Sequence, residues 1–348
     1  NLKWNLSISN MLIIDVATAI FGLILLAAGG YILVAGGAAL AKKLQISSMV
    51  IGLTVVAYGT STPELAASIT AAFNSHTELI LGNIIGSNIS NIGMVIGIST
   101  MIATGLIIKG KSYNGLGIRD RVIKKWLPFM IVVSGLMFLL SWWGGQLSQL
   151  DGIFFILLLI AFTVYIVKTA KKENPVGDVI EDEDPAGDMA ISRFKVNTIP
   201  KAIVGVIIGA FLLFVGGDFT VDGAVSIAEA LGLSQLVIGV VIVAIGTSLP
   251  ELITSVIAIR KKQMDIGIGN IVGSNIYNIL LIGGISASLV GTLNTGIPVS
   301  PDIHPHLLIM ILISAVLFVG ARKSHVIPRF VGVGLVIAFA AYLVSLLL

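Results

Sequence analysis

Residues 50–99 read VIGLTVVAYGTSTPELAASITAAFNSHTELILGNIIGSNISNIGMVIGIS, and residues 237–286 read VIGVVIVAIGTSLPELITSVIAIRKKQMDIGIGNIVGSNIYNILLIGGIS. The two stretches align without a gap at an offset of 187, and about half of their positions are identical. Each copy sets one carboxylate, Glu64 or Glu251, in an otherwise apolar run. A charged side chain in the middle of a bilayer costs about 3 kcal/mol or more, so an acid kept there twice points to a functional site. Paired hydrophobic segments interrupted by Gly and Pro, in corresponding halves of a chain, are a sequence signature of a transporter's binding site.

The rest of the composition agrees with a membrane setting. Hydrophobic residues make up 56% of the 348 and charged residues only 11%, against about 25% charged in a soluble domain; the mean hydropathy is +1.03. The absence of cysteine excludes disulfides, thiolate metal sites and thiol redox chemistry. No cleavable signal peptide is expected. The net charge of +3 gives no reason to expect a nucleic-acid partner.

A helix needs about 20 apolar residues to cross a bilayer. Ten such runs are expected, roughly 11–40, 48–73, 79–105, 126–144, 150–169, 202–230, 235–259, 266–292, 306–321 and 330–348. The predicted fold is therefore an all-α membrane protein of ten transmembrane helices. The polar stretch 170–200, with Asp178, Glu181, Asp182, Glu183, Asp184 and Asp188, divides it into a first five-helix repeat over 11–169 and a second over 201–348. That stretch reads as a solvated linker, with a regulatory Ca²⁺ site as the alternative.

With ten spans, all but Lys3 of the 21 Lys and Arg fall on one side of the membrane, including Lys42, Lys111, Arg119, Lys125, Lys172, Arg260, Lys262, Arg322 and Arg329. Positive loops lie in the cytoplasm, so both termini are expected outside. Five helices per half is an odd number, so the second half enters from the opposite side and the two copies form an inverted repeat. Such repeats set a binding site near the midplane.

Pro63 and Pro250 follow the two Gly-Thr-Ser triplets, and each removes a backbone donor, freeing the carbonyls of Gly59 and Gly246. Helical spacing places Ala57, Thr60 or Ser61, and Glu64 on one face, and Ala244, Thr247 or Ser248, and Glu251 on another. Ser87 and Asn91, like Ser274 and Asn278, are i, i+4 neighbours. Together these groups offer only hard oxygen, the donor that Ca²⁺ takes six to eight times at about 2.3–2.6 Å. The four histidines, His76, His304, His306 and His325, are expected in loops, which disfavours Zn²⁺ or Cu²⁺. Two carboxylates carry −2 when ionised, which one Ca²⁺ or two Na⁺ would balance, and a third Na⁺ would leave +1. A buried anion pair left without cargo is disfavoured, as an obligate antiporter requires. Asn83, Asn88, Asn270 and Asn275 read as bracing hydrogen bonders, and Gly82, Gly86, Gly269 and Gly273 as close-packing positions.

The motifs GTSTPE with GNIIGSNISN, and GTSLPE with GNIVGSNIYN, resemble the α-repeats of the Ca²⁺/cation antiporter superfamily, in its prokaryotic Na⁺/Ca²⁺ exchanger branch. The resemblance implies a ten-helix antiporter with Ca²⁺ and Na⁺ as its substrates and no cofactor. It implies metal ligands at Ala57 (carbonyl), Thr60, Ser61, Glu64, Ser87 and Asn91 in the first half. In the second half it implies Ala244 (carbonyl), Thr247, Ser248, Glu251, Ser274 and Asn278. It further implies that the first and sixth spans form a pair sliding on the core, which their glycine-rich runs would allow. Asn at both 91 and 278 resembles the K⁺-independent exchangers, and the lack of an acid in GNIIGSN and GNIVGSN argues against H⁺ coupling. Exchange is expected to be electrogenic, in the plasma membrane, by a monomer. Asp218 and Asp222 read equally as cation attractors on the outer approach or as structural acids. The alternatives are an H⁺/Ca²⁺ exchanger, a K⁺-dependent one, a passive channel, and an intramembrane hydrolase. The channel would need a continuous pore, and the hydrolase an unequal division of labour between Glu64 and Glu251.

Overall fold

Apolar runs of this length satisfy their backbone in lipid by winding into helices, and the chain is mostly helical. The computed structural model describes residues 2–104, 107–108, 111–112, 114–170, 198–232, 244–293, 296–322 and 325–347. The acidic cluster of 178–188 and the first part of the run 235–259 lie outside these.

The long helix α1 (Leu2–Leu44) is followed by a broken rod of α2 (Ser48–Ile51), a π-helical turn π1 (Gly52–Val56), α3 (Ala57–Thr60) and α4 (Thr62–Phe73). The next rod joins α5 (Thr77–Ser90), π2 (Asn91–Ile96) and α6 (Gly97–Ala103). Then π3 (Val122–Trp126) runs into α7 (Leu127–Gly144), and α8 (Gln149–Ala170) follows. The later part repeats the plan with α9 (Ile199–Ala230), α10 (Ala244–Thr247) and α11 (Leu249–Arg260), then α12 (Met264–Tyr277), π4 (Asn278–Gly283) and α13 (Gly284–Leu293), and last α14 (Ile303–Arg322) and α15 (Arg329–Ser345). Among the described residues, seven helical stretches are long and apolar enough to cross a membrane, with shorter apolar helices at Ser48–Thr60 and Arg329–Ser345.

Two of the seven differ from the rest. In Thr77–Ala103 and Met264–Thr292, 78% and 94% of the apolar window is buried inside the protein, against 17% to 33% for the other five. The two rods thus form the centre of the bundle, and the others wrap it with apolar side chains turned outward, among them Ile24, Leu157, Phe211 and Leu312.

The pair α1 and α9 packs at backbone distance, because glycines recur every seven residues along the seam. A Cβ on Gly29 would stand 2.8 Å from the Gly209 carbonyl oxygen, and one on Gly36 3.0 Å from that of Ala202. Gly216 and Gly223 face the Gly22 and Asp15 carbonyls in the same way. The numbers fall along one helix as they rise along the other, so the two run antiparallel. Lipid supplies no hydrophobic drive between helices, so close approach of small residues holds such a pair. On the opposite face of α1 the tightest approaches to the core at Gly30 and Gly37 are to side chains. A Cβ on Gly30 would lie 3.0 Å from Ile257 Cδ1, and one on Gly37 3.1 Å from Ile51 Cγ2.

Three short antiparallel strand pairs interrupt the helices, a feature that apolar-run reading does not anticipate. β1 (Ile107–Ile108) pairs with β2 (Lys111–Ser112), β3 (Gly115–Gly117) with β6 (Val326–Pro328), and β4 (Gln146–Leu147) with β5 (Ile297–Pro298). The last two pairs join early to late segments of the chain. Each is entered at a glycine with positive φ, Gly115 (150°) or Gly296 (136°), where a Cβ would run into the partner strand's carbonyl, of Ile327 or Leu147. Beside β3, Arg119 pairs with Asp265 at 2.7 Å, and Asp120 meets both Lys124 and His325. Hydrogen bonding by Lys124, then by His325, holds the Asp120 carboxyl below its ordinary range.

Candidate functional site

The two Gly-Thr-Ser-x-Pro-Glu segments break their rods at the same place. Ser61 (φ −86°, ψ 9°) and Ser248 (φ −89°, ψ 3°) leave helical geometry, and new helices start at Thr62 and Leu249 with proline in the first turn. Proline has no N–H to lose there, so it favours a helix start over a continuing helix. Glu64 and Glu251 therefore sit in the first turns of α4 and α11, where the positive end of the helix dipole favours an anion. Both are 1% exposed.

The centre is built across the chain. Ser61 Oγ donates to Glu251 Oε1 at 3.1 Å, and Ser274 Oγ donates to the same oxygen at 3.3 Å. Thr60 Oγ1 donates to Asn270 Oδ1 at 2.9 Å and lies 3.4 Å from Ser274 Oγ. It also meets the Ala57 carbonyl at 3.2 Å, which accepts the Ser61 N–H as well. The counterpart N–H, of Ser248, goes to Ile245 instead, one residue beyond Ala244.

Asn83 and Asn270 brace the glutamate-bearing helices. Asn83 Nδ2 donates to the Glu64 carbonyl at 2.9 Å and to Ser68 Oγ at 2.8 Å. Asn270 Nδ2 donates to the Glu251 carbonyl at 3.5 Å and to Ser255 Oγ at 3.0 Å. Gly269 and Gly273 allow α12 to touch the first rod: added Cβ atoms would lie 2.9 Å from Leu53 N and 2.7 Å from Ala57 Cβ. At Gly82 and Gly86, by contrast, an added Cβ would meet nothing within 4 Å among the described residues, so the close packing expected there is not seen.

Asn91 and Asn278 each open a π-helical turn, π2 and π4. A π turn carries an extra residue and leaves the regular α-helical bonding pattern, a distortion frequent at functional positions. Several oxygens of the region are buried without a hydrogen-bond partner: Glu64 Oε2, Glu251 Oε2, Ser248 Oγ, Asn91 Oδ1 and Asn278 Oδ1. Unpartnered buried acceptors are costly, and this set is chemically uniform, which is the donor chemistry a hard cation demands.

The two sides are not in the same state. Glu251 Oε1 takes two hydroxyls, whereas Ser87, the counterpart of Ser274, turns to Asn83 Oδ1 at 3.4 Å. The surroundings of Glu64 and Glu251 are thus unequal in this conformation. One expectation needs correction: His304 and His306 lie in the first turn of α14, not in loops. Proline at 305 is tolerated in a first turn, and this extends the helix upstream of its apolar run. Among the described residues no three His, Cys, Asp or Glu gather as a metal cluster. Asp218 and Asp222 are exposed, one turn apart on α9.

The likeness of the two halves continues past the quoted motifs. MIVVSGLMF (130–138) and MILISAVLF (310–318) extend it to α7 and α14. Ser134 Oγ bonds the Met130 carbonyl at 2.9 Å, and Ser314 Oγ that of Met310 at 2.7 Å. The signal was present, but at an offset of 180 rather than 187, so a gapless comparison passes over it.

The architecture is that of a multi-pass membrane protein that buries two carboxylates among hydroxyl, amide and carbonyl oxygens. The chain belongs to the sodium/calcium exchanger protein family, whose model matches residues 14–168 and 201–348. It is 37% identical to the putative antiporter CaxA of Alkalimonas amylolytica over 76% of this chain and 77% of that protein. It is 30% identical to the sodium/calcium exchanger MaX1 of Methanosarcina acetivorans, over 97% of this chain and 99% of that one. A solved structure of the sodium-calcium exchanger NCX_Mj, soaked with Na⁺ and Sr²⁺, superposes with a TM-score of 0.75 at 30% identity, covering 96% of this chain and 99% of that one. These findings agree with the family resemblance carried by the two repeated motifs.

Proposed function

We propose that this protein is a Na⁺/Ca²⁺ antiporter of the plasma membrane that carries both ions through one central site by alternating access. The observation that carries the reading is the Ser61–Glu251 hydrogen bond, which joins the two repeated motifs into one site, together with the unpartnered oxygens around it. In this reading the ligands are Glu64, Glu251, Thr60, Thr247, Ser61, Ser248, Ser87, Ser274, Asn91 and Asn278, with the carbonyls of Ala57 and Ala244.

Ten helices in two inverted five-helix halves, 11–169 and 201–348 flanking the linker, follow from the loop charges, with both termini outside. The strand pairs support the inversion. β3 precedes α7 and pairs with the strand before α15; β5 precedes α14 and pairs with the strand before α8. Exchanging the halves turns one pair into the other, glycines included.

Charge balance then drives exchange. The site at −2 is neutralised by one Ca²⁺ or two Na⁺, and crossing without cargo means moving a bare anion pair through low dielectric. Three Na⁺ against one Ca²⁺ would make the cycle electrogenic. The α1–α9 pair, joined backbone to backbone and meeting the core mainly through side chains at Gly30 and Gly37, is the element suited to slide across the site. The protein acts as a monomer in this scheme.

The test is radioactive Ca²⁺ uptake into proteoliposomes under an outward Na⁺ gradient. Uptake that needs the Na⁺ gradient and disappears in Glu64→Gln and Glu251→Gln is the expected result. Uptake driven by a pH gradient alone, or requiring K⁺, would reassign the coupling ion. Flux with no counter-ion would make the protein a channel.

A further inference from the structure

The asparagines that open π2 and π4 end two matched chains of hydrogen bonds, and each chain begins at a sulfur. Asn275 Nδ2 donates to Met130 Sδ at 3.5 Å, and Asn91 Nδ2 donates to Asn275 Oδ1 at 3.1 Å. Asn88 Nδ2 donates to Met310 Sδ at 3.4 Å, and Asn278 Nδ2 donates to Asn88 Oδ1 at 3.4 Å. All six side chains are 2% exposed or less. Each chain crosses between the early and late parts of the protein twice. Asn91 Oδ1 and Asn278 Oδ1, at the far ends, are left buried and unpartnered.

A carboxamide can face either way, and its neighbours decide which. A thioether accepts hydrogen bonds and has none to give. The amide beside it must therefore turn its NH₂ to the sulfur and its oxygen away. That oxygen demands the NH₂ of the next asparagine, which in turn must show its own oxygen to the remaining side. Reversing the order would set an amide oxygen against sulfur lone pairs. It would also leave two NH₂ groups facing each other, or turn the terminal NH₂ into the site. A cation repels an NH₂ and is held by a carbonyl oxygen.

We infer that Met130 and Met310 are positioning residues that fix, through Asn275 and Asn88, which end of Asn91 and Asn278 meets the transported cation. The inference rests on the reading of Asn91 and Asn278 as ligands. Residues behind a metal ligand commonly change affinity by about 10- to 100-fold when removed. A sulfur acceptor two bonds away belongs at the lower end of that range.

Two readouts on the full chain test it: the Ca²⁺-dependent rise in melting temperature, and the half-saturating Ca²⁺ concentration for Na⁺-driven uptake. Met130→Leu and Met310→Leu keep the volume and remove the acceptor. Each is expected to raise the Ca²⁺ concentration required by about tenfold, with a smaller change in maximal rate. Met130→Gln and Met310→Gln, which return an acceptor oxygen at similar reach, are expected to recover most of the loss. Coupling must follow the two chains. Met130→Leu should add nothing in an Asn91→Ala background and its full factor in Asn278→Ala, with the converse for Met310→Leu. Equal factors in both backgrounds, unchanged Ca²⁺ dependence in the Leu variants, or Gln no better than Leu would overturn the positioning role. Unchanged Ca²⁺ dependence in Asn91→Ala and Asn278→Ala would instead overturn the ligand reading, and the positioning role with it.

Discussion

Gly29 and Gly30 are neighbours on α1 that face different partners, so alanine at each position probes a different interface. A Cβ on Gly29 would stand 2.8 Å from both the Gly209 carbonyl oxygen and the Leu213 amide nitrogen, which are backbone and cannot rotate aside. Ordinary contact begins at about 3.4 Å, so the helices must part by several tenths of an ångström along that stretch. A gap of about 0.5–1 Å forfeits a quarter to a half of the dispersion attraction of the atoms facing it, and overpacking of this kind costs roughly 1–3 kcal/mol. Alanine returns up to about 1 kcal/mol of helix propensity. Gly29→Ala should therefore lose up to ~2 kcal/mol net, the rigid backbone contacts favouring the upper end, a fall of several degrees in melting temperature at roughly 2–4 °C per kcal/mol. The tight contacts of a Cβ on Gly30 are Ile257 Cδ1 at 3.0 Å and Ile253 Cγ2 at 3.3 Å, ends of side chains that can yield, and the backbone Thr254 Cα lies at an ordinary 3.5 Å. Gly30→Ala should keep the melting temperature within about 1 °C, the propensity gain offsetting the crowding, but slow exchange by roughening the face that slides. Thermal unfolding in detergent and initial uptake rates measure the two effects. An unaffected melting temperature in Gly29→Ala would refute the locked pair, and normal exchange by a stable Gly30→Ala would refute the sliding face.

Further outcomes follow from the rim. Gly115→Ala and Gly296→Ala, each strained at positive φ and driven into a partner carbonyl, should both lower the melting temperature, by similar amounts if the two strand pairs are symmetry mates. Asp120→Asn tests a charge effect with a definite sign. A carboxyl held low in the folded state stabilises above its unfolded pKa of about 3.9 and loses that contribution as pH falls through the lower, folded value. The variant should melt below the parent at pH 7, approach it as pH falls through the lowered folded value, and differ less in high salt; a gap that does not narrow in acid would show that the effect is not the charge.

The helices were legible because lipid leaves apolar runs so few choices, and the broken rods were legible because Pro63 and Pro250 follow small polar residues. Helical spacing put Thr60 or Ser61, and Thr247 or Ser248, on the face of the neighbouring glutamate without choosing between them. What spacing could not show was the handing of Ser61 to Glu251 and of Ser87 to Asn83, since those choices depend on the conformation adopted rather than on residue type. The seam of Gly22, Gly29 and Gly36 was equally hidden. Its seven-residue period becomes meaningful only against Gly209, Gly216 and Gly223 on a helix far along the chain. The π turns carry no composition signal of their own, because Asn91 and Asn278 have helical dihedrals like their neighbours. The strand pairs escaped because two or three residues are too few to set a period.

The way the early and late segments interlock bears on how this molecule is held together. α1 is completed by α9, the carboxylate of α11 by a hydroxyl just before α4, and both rim ladders by one strand from each part. Residues up to 170 and residues from 198 onward are thus mutual templates, each presenting glycine grooves and unpaired strand edges that only the other fills. That fit is a source of cohesion in its own right. A chain divided between the two parts, supplied as two separate translation products, is therefore expected to reassemble, which co-purification of the two products would check.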